Sequence, residues 1–173
     1  MEEWKKSYSN VNIEFFACDI SKEEERKKFV SFVQKQVETL EILVNNVGTN
    51  VRKPFLDYSE EEVNKIVNTN LMSFLFLSKE LHGLLKKSGN GAVVNISSVA
   101  GISPIVNGSI YAYFHEQCFV SLFFFLTCSF NIFRLTKSAM NQLTKSLAVE
   151  WAKDGIRVNV SLRQLFFSSF NLL

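Results

Sequence analysis

Short apolar runs alternate with long amphipathic stretches along most of this 173-residue chain, and that alternation restricts its fold more than any other feature. Residues 11–17 (VNIEFFA) read as a strand ending at Asp19. Ser21 and Glu24 form an S-x-x-E capping box, followed by Phe29, Phe32, Val33, Val37 and Leu40 at helical spacing. Residues 41–45 (EILVN) are a short buried-strand run closed by Asn45-Asn46-Val47-Gly48. Ser59 and Glu62 open one long helix striped by Val63, Val67, Asn70, Phe74, Leu77, Leu81 and Leu84. Residues 91–97 (GAVVNIS) form the next strand. Residues 135–153 predict a helix with Met140, Leu143, Leu147 and Trp151 inward, and 155–159 (GIRVN) open a last strand. Strands separated by such helices pair in parallel through right-handed crossovers. The expected fold is therefore α/β, a partial doubly wound parallel sheet in a single domain over 1–173.

Composition narrows the function classes. A net charge of +2 gives no electrostatic case for nucleic acid or an anionic membrane. Cys18, Cys118 and Cys128 make neither a disulfide framework nor a metal-type C-x-x-C. The opening MEEWKKSYSN lacks the apolar core of a secretory signal, so a cytoplasmic location is expected. Seven of the 17 phenylalanines crowd into 113–134 and three into the tail 161–173. The charge-free stretch 119–133 is shorter than the roughly 20 residues a spanning helix needs and carries Ser, Thr and Asn, so no membrane span is expected.

The polar residues in apolar contexts are the candidates for chemistry. Asn70 lies on the apolar stripe of its helix, where a buried amide must be hydrogen-bonded; alone it reads first as a satisfied core residue. Asn45 to Gly48 follows a parallel strand, the end at which ligands bind in open α/β sheets, and is equally a turn. Ser97-Ser98 follows the next strand and serves a turn or helix cap as readily as a reaction. Tyr111 lies 13 residues beyond Ser98. If 113–134 is removed, the chain reads Tyr111-Ala112-Leu135-Thr136-Lys137, a Tyr-x-x-x-Lys. Those two side chains then stand one helical turn apart, and the ammonium lowers the phenol pKa toward that of a usable general acid.

Together, Asn-Asn-x-Gly, the helical Asn, Ser-x13-Tyr and the restored Tyr-x-x-x-Lys resemble the short-chain dehydrogenases/reductases. The stretch NQLTKSLAVEWAKDGIRVN (141–159) looks most like plant tropinone reductases and their homologues. The resemblance implies a Rossmann-type sheet retaining strands 3–6 of that family and a small-molecule carbonyl or alcohol substrate. It also implies reversible hydride transfer with NADP(H), NAD(H) not being excluded. It makes Tyr111 the proton donor, Lys137 its pKa partner and a ligand of the nicotinamide ribose, and Ser98 the holder of the carbonyl oxygen. Asn70 would support a water-linked proton relay and Asp19 would contact the adenine, while Asn45 and Gly48 would line the cofactor cleft. A homo-oligomer is the family expectation.

Three departures follow from the same resemblance. No T-G-x-x-x-G-x-G turn occurs among the seven glycines, so the pyrophosphate lacks its usual amide donors and cofactor binding is expected to be impaired. The segment 113–134 interrupts the Tyr-Lys motif and, if helical, would part the two by about 33 Å. The tail from 161 replaces the turn that would close the nicotinamide site. The expectation is a chain truncated at both ends and inactive as written; the alternative is a non-catalytic fragment that associates with longer relatives.

Overall fold

The computed structural model describes residues 12–51, 53–102 and 131–163. Three strands, β1 (Ile42–Asn45), β2 (Ala92–Ser98) and β3 (Arg157–Arg163), form one parallel sheet in the order β1-β2-β3. Helix α1 (Glu23–Gln36) precedes β1, helices α2 (Glu60–Val67) and α3 (Ser73–Lys87) lie between β1 and β2, and α4 (Asn131–Trp151) precedes β3. The adjacency of the three strands expected from 41–45, 91–97 and 155–159 is observed, as is their parallel sense.

Register assigns the two faces. Leu43, Val93 and Val158 align across the sheet and join Leu77, Leu81 and Leu85 of α3 with Trp151 of α4 in one apolar cluster. Burial of that apolar surface, at about 25 cal/mol per Å2, is the main force holding these helices to the sheet. The opposite face carries Ile42 and Val44, 61% and 54% exposed. Gly155, at φ 70°, takes the left-handed conformation that ends the turn after α4 and aims the chain into β3.

Several sequence expectations need correction. Residues 12–18 are not a strand: they pair with no strand among the described residues, and Phe16 instead stacks on Phe29 and Phe32 of α1 at ring-centroid distances of 5.9 and 4.9 Å. Ser21 does not cap α1, whose N-cap is Lys22 without a side-chain bond. Asp19 captures Ser21 first, its Oδ1 accepting from both the Ser21 amide (3.1 Å) and hydroxyl (2.7 Å). By contrast the Ser59–Glu62 capping box of α2 is complete. The long helix expected after it is broken by a π-helical turn, Asn68–Met72, between α2 and α3. Helix α4, described from Asn131, includes the last residues of the segment read as an interruption, with Ile132 buried. Tyr111, residues 113–130 and the tail from 164 lie outside the described residues. Among the described residues, no helix is long and apolar enough to cross a membrane, and no metal-binding group of side chains occurs.

Candidate active site

Asn70, Lys137 and Gly48 come together beyond the carboxyl ends of β1 and β2. Asn70 sits in the π-turn, where one extra residue rotates the helix locally; such turns recur at functional sites. Its side chain is completely buried and bonded on every side. Oδ1 accepts from the Thr49 amide at 2.7 Å, while Nδ2 donates to the Thr49 carbonyl (2.9 Å) and to the Thr136 hydroxyl (3.2 Å). The core-amide reading of Asn70 and the site reading therefore coexist, because the residue it clasps is the neighbour of Gly48.

Lys137 is 4% exposed. Its Nζ donates to the Ile96 carbonyl of β2 at 2.7 Å and stands 5.7 Å from the centre of the Phe133 ring. Burial pushes its pKa below the ordinary lysine value, since taking an ammonium out of water disfavours the charged form. A Cβ placed on Gly48 would lie 3.5 Å from Asn70 Oδ1 and 3.6 Å from Lys137 Nζ, so both polar heads face this glycine.

Ser98, half-buried at the end of β2, accepts the Ala100 amide on its hydroxyl at 3.1 Å. The adjacent Ser97 is buried and donates to the Lys137 carbonyl at 3.3 Å. Gly101 then docks against α4, its carbonyl accepting from Ser138 Oγ (2.8 Å) and Asn141 Nδ2 (3.3 Å).

Asn45 is placed elsewhere. Its Nδ2 donates to Ser78 Oγ (3.1 Å) and Asn95 Oδ1 (2.9 Å), and Asn95 in turn donates to Thr144 Oγ1 (3.0 Å). This buried chain ties β1, β2, α3 and α4 together, so the Asn45 side chain belongs to the sheet–helix core. Asp19 is exposed at the entry to α1, and its hydrogen bonds run to Ser21 and lower its pKa. None of these bonds reaches Asn70 or Lys137. Thr49, Asn95, Thr136 and Thr144 were not singled out from sequence. The available signal was that Thr136, Met140 and Thr144 fall on the inward face of α4, at one-turn spacing.

A parallel sheet with a polar cluster at its carboxyl end, here with a lysine and an asparagine from two helices, is the place where open α/β sheets bind ligands. Residues 1–113 match the family model for short chain dehydrogenase, and the chain belongs to that family of oxidoreductases. It is tropinone reductase-like. A tropinone reductase homolog of Arabidopsis thaliana is 41% identical over 160 residues, covering 92% of this chain and 52% of the relative. Senescence-associated protein 13 of Arabidopsis thaliana is 38% identical over 160 residues, covering 92% and 51%. The chain thus spans about half the length of the curated relatives it matches. A short-chain dehydrogenase from Streptomyces avermitilis superposes with a TM-score of 0.74 at 23% identity, over 98% of this chain and 54% of that one. The NADP-bound ElxO superposes at 0.70 with 27% identity, over 93% and 57%.

Proposed function

We propose that this chain carries the proton-handling half of a carbonyl reductase site, acting on a ketone or secondary alcohol with NADP(H). The observation that carries the reading is the convergence of the Lys137 ammonium and the Asn70 carboxamide on Gly48. Among the described residues Lys137 has one acceptor, the Ile96 carbonyl, and an ammonium has three donors, so it can also hold a ribose hydroxyl. That donor set, opened by a residue without a side chain, fits the nicotinamide-ribose end of the cofactor. The cofactor supplies the hydride when bound. Tyr111 is assigned the proton given to the substrate oxygen, Lys137 the charge that favours the phenolate, and Ser98 the hydrogen bond to that oxygen. Asn70 holds the loop that walls the site, a role its saturated side chain supports better than direct contact with a relay water. NADP is preferred over NAD by analogy with the tropinone reductase homologues.

The test is a chimera in which 113–134 is excised and the flanking segments come from a close relative. It should reduce ketones with NADPH, and Tyr111→Phe should abolish turnover while leaving NADPH binding near wild type. A Tyr111→Phe chimera that still turns over would overturn the assignment. The 173 residues contain no T-G-x-x-x-G-x-G turn, so this polypeptide alone should bind NADPH at about millimolar or weaker.

A second reading, a non-catalytic chain that associates with longer relatives, is favoured by the sheet itself. Among the described residues strand β1 is paired on one side only, and its own Ile42 and Val44 are exposed. Recovery of a purified monomer at high concentration, with no heteromer formed on mixing with a full-length relative, would count against it.

A further inference from the structure

Lys137 is preceded by Thr136, whose side chain is completely buried although nothing in the reaction above uses it. Its hydroxyl donates to the Phe133 carbonyl one turn back, at 2.8 Å. That leaves only lone pairs facing Asn70, whose Nδ2 donates to Oγ1 at 3.2 Å. We infer that Thr136 is a positioning residue: its hydroxyl fixes which way the Asn70 carboxamide points and so holds the Gly48–Thr49 loop over the Lys137 ammonium.

The argument is one of hydrogen-bond count. A carboxamide has two N–H donors and one carbonyl oxygen. Asn70 spends one donor on the Thr49 carbonyl, the other on Thr136, and offers Oδ1 to the Thr49 amide. Turning the amide over would set its carbonyl against the Thr49 carbonyl and the Thr136 lone pairs, and its N–H2 against the Thr49 amide. Without the Thr136 acceptor that bias weakens and one buried donor is left unmade. Thr49 would then loosen, carrying Gly48 with it, and Gly48 is what stands over Asn70 Oδ1 and Lys137 Nζ. Water reaching the ammonium would undo the desolvation that lowers its pKa. The functional meaning of this geometry rests on the role proposed above for Lys137; the geometry itself does not.

The experiment compares the full chain with Thr136→Val, which keeps the shape and loses the acceptor, and Thr136→Ser, which keeps the acceptor. Two quantities are read by NMR: hydrogen exchange at the Thr49 amide, and the titration midpoint of Lys137 followed at its ε-carbon. Thr136→Val should speed Thr49 exchange by about tenfold or more and move the Lys137 midpoint up toward that of an ordinary lysine, whereas Thr136→Ser should match wild type in both. Unchanged values in Thr136→Val, or the same changes in Thr136→Ser, would overturn the inference. Should Thr136→Val not fold, the wild-type chain still decides: both Asn70 Nδ2 protons must be protected from exchange, and fast exchange of either refutes it. None of these readouts needs turnover or cofactor. A chimera that fails to reduce ketones therefore removes the proposed function and leaves this inference standing.

Discussion

Gly101, in the loop after β2, lies close against α4, and replacing it with alanine gives a calculable clash. A Cβ there would lie 2.8 Å from the Lys137 carbonyl carbon, 3.0 Å from the Lys137 Cβ and 2.9 Å from Asn141 Nδ2. Two of those atoms are fixed to the helix frame and cannot rotate away. Regaining an ordinary contact of about 3.4 Å requires loop and helix to part by about 0.6 Å, in a region that also packs Met140 and Thr136. Overpacking of this kind costs about 1–3 kcal/mol, while the stiffer unfolded chain returns about 0.4–1 kcal/mol. The net expectation for Gly101→Ala is a loss of about 1–2 kcal/mol, a fall of about 0.5–1 M in the urea midpoint for a slope near 2 kcal/mol/M. Gly83→Ala is the control. Gly83 is exposed in the middle of α3 with nothing within 4 Å of its added Cβ, so the substitution should stabilise by about 0.5–1 kcal/mol. A Gly101→Ala midpoint at or above wild type, with Gly83→Ala rising as expected, would show that the loop does not press on α4 as described.

Further outcomes are expected at the α2 cap, at Lys137 and at Asn95. Glu62 is held at about 2 by its hydrogen bond to Lys53 and by the Ser59 amide; a carboxylate lowered on folding adds stability above its unfolded value of 4.5 that disappears as pH falls from there toward 2. Urea midpoints across that window should therefore drop less steeply in Glu62→Gln than in wild type, and Ser59→Ala should cost about 1 kcal/mol at pH 7. Lys137 is lowered by burial, so its charged form weighs against the fold at neutral pH and the penalty lifts as pH rises through the lowered value toward 10.5. Lys137→Met should exceed wild type in stability at pH 7, with the gap closing on the way to 10.5; a constant gap in paired denaturation curves would contradict the burial argument. Asn95→Leu strips Asn45 of an acceptor and Thr144 of a donor, with an expected loss of about 2 kcal/mol. Its cycle with Thr144→Val should show coupling of at least about 0.5 kcal/mol by urea titration.

The strands and their parallel order were legible because β1, β2 and β3 are apolar runs closed by turn residues and separated by striped helices. Asn70 was legible as a polar residue on an apolar helical face, and Lys137 through the Tyr-x-x-x-Lys spacing that removing 113–134 restores. What escaped depended on contacts distant in sequence. Residues 12–18 have strand composition, yet a strand exists only where another pairs with it, and here Phe16 lies on α1 instead. Ser21 fits a capping box, yet Asp19 two residues earlier competes for the same hydroxyl at 2.7 Å. The π-turn leaves no mark in hydrophobic spacing, since Val67, Asn70 and Phe74 suit an unbroken helix just as well. The family resemblance gives Asn45 to the cofactor cleft, whereas the alternation of the strand turns its side chain inward with Leu43.

That inward turn explains why the site lies where it does. Along the helix-covered face, the amino ends of the strands present Leu43, Val93 and Val158, and the carboxyl ends present Asn45, Asn95 and Ser97. The apolar end supplies the burial that fixes α3 and α4 to the sheet. The polar end converts that fixed distance into hydrogen bonds that only one register satisfies: Asn45 pairs with Asn95, and slipping β1 by one residue would turn Asn45 away from Asn95, Ser78 and α3. Asn95 passes the constraint to Thr144, two turns along α4 from Thr136 and Lys137. Ser97 bonds the Lys137 carbonyl, and Ile96 takes the ammonium. Sheet register therefore sets the depth of α4, and the depth of α4 sets the place of the Lys137 ammonium in the polar cluster at Gly48.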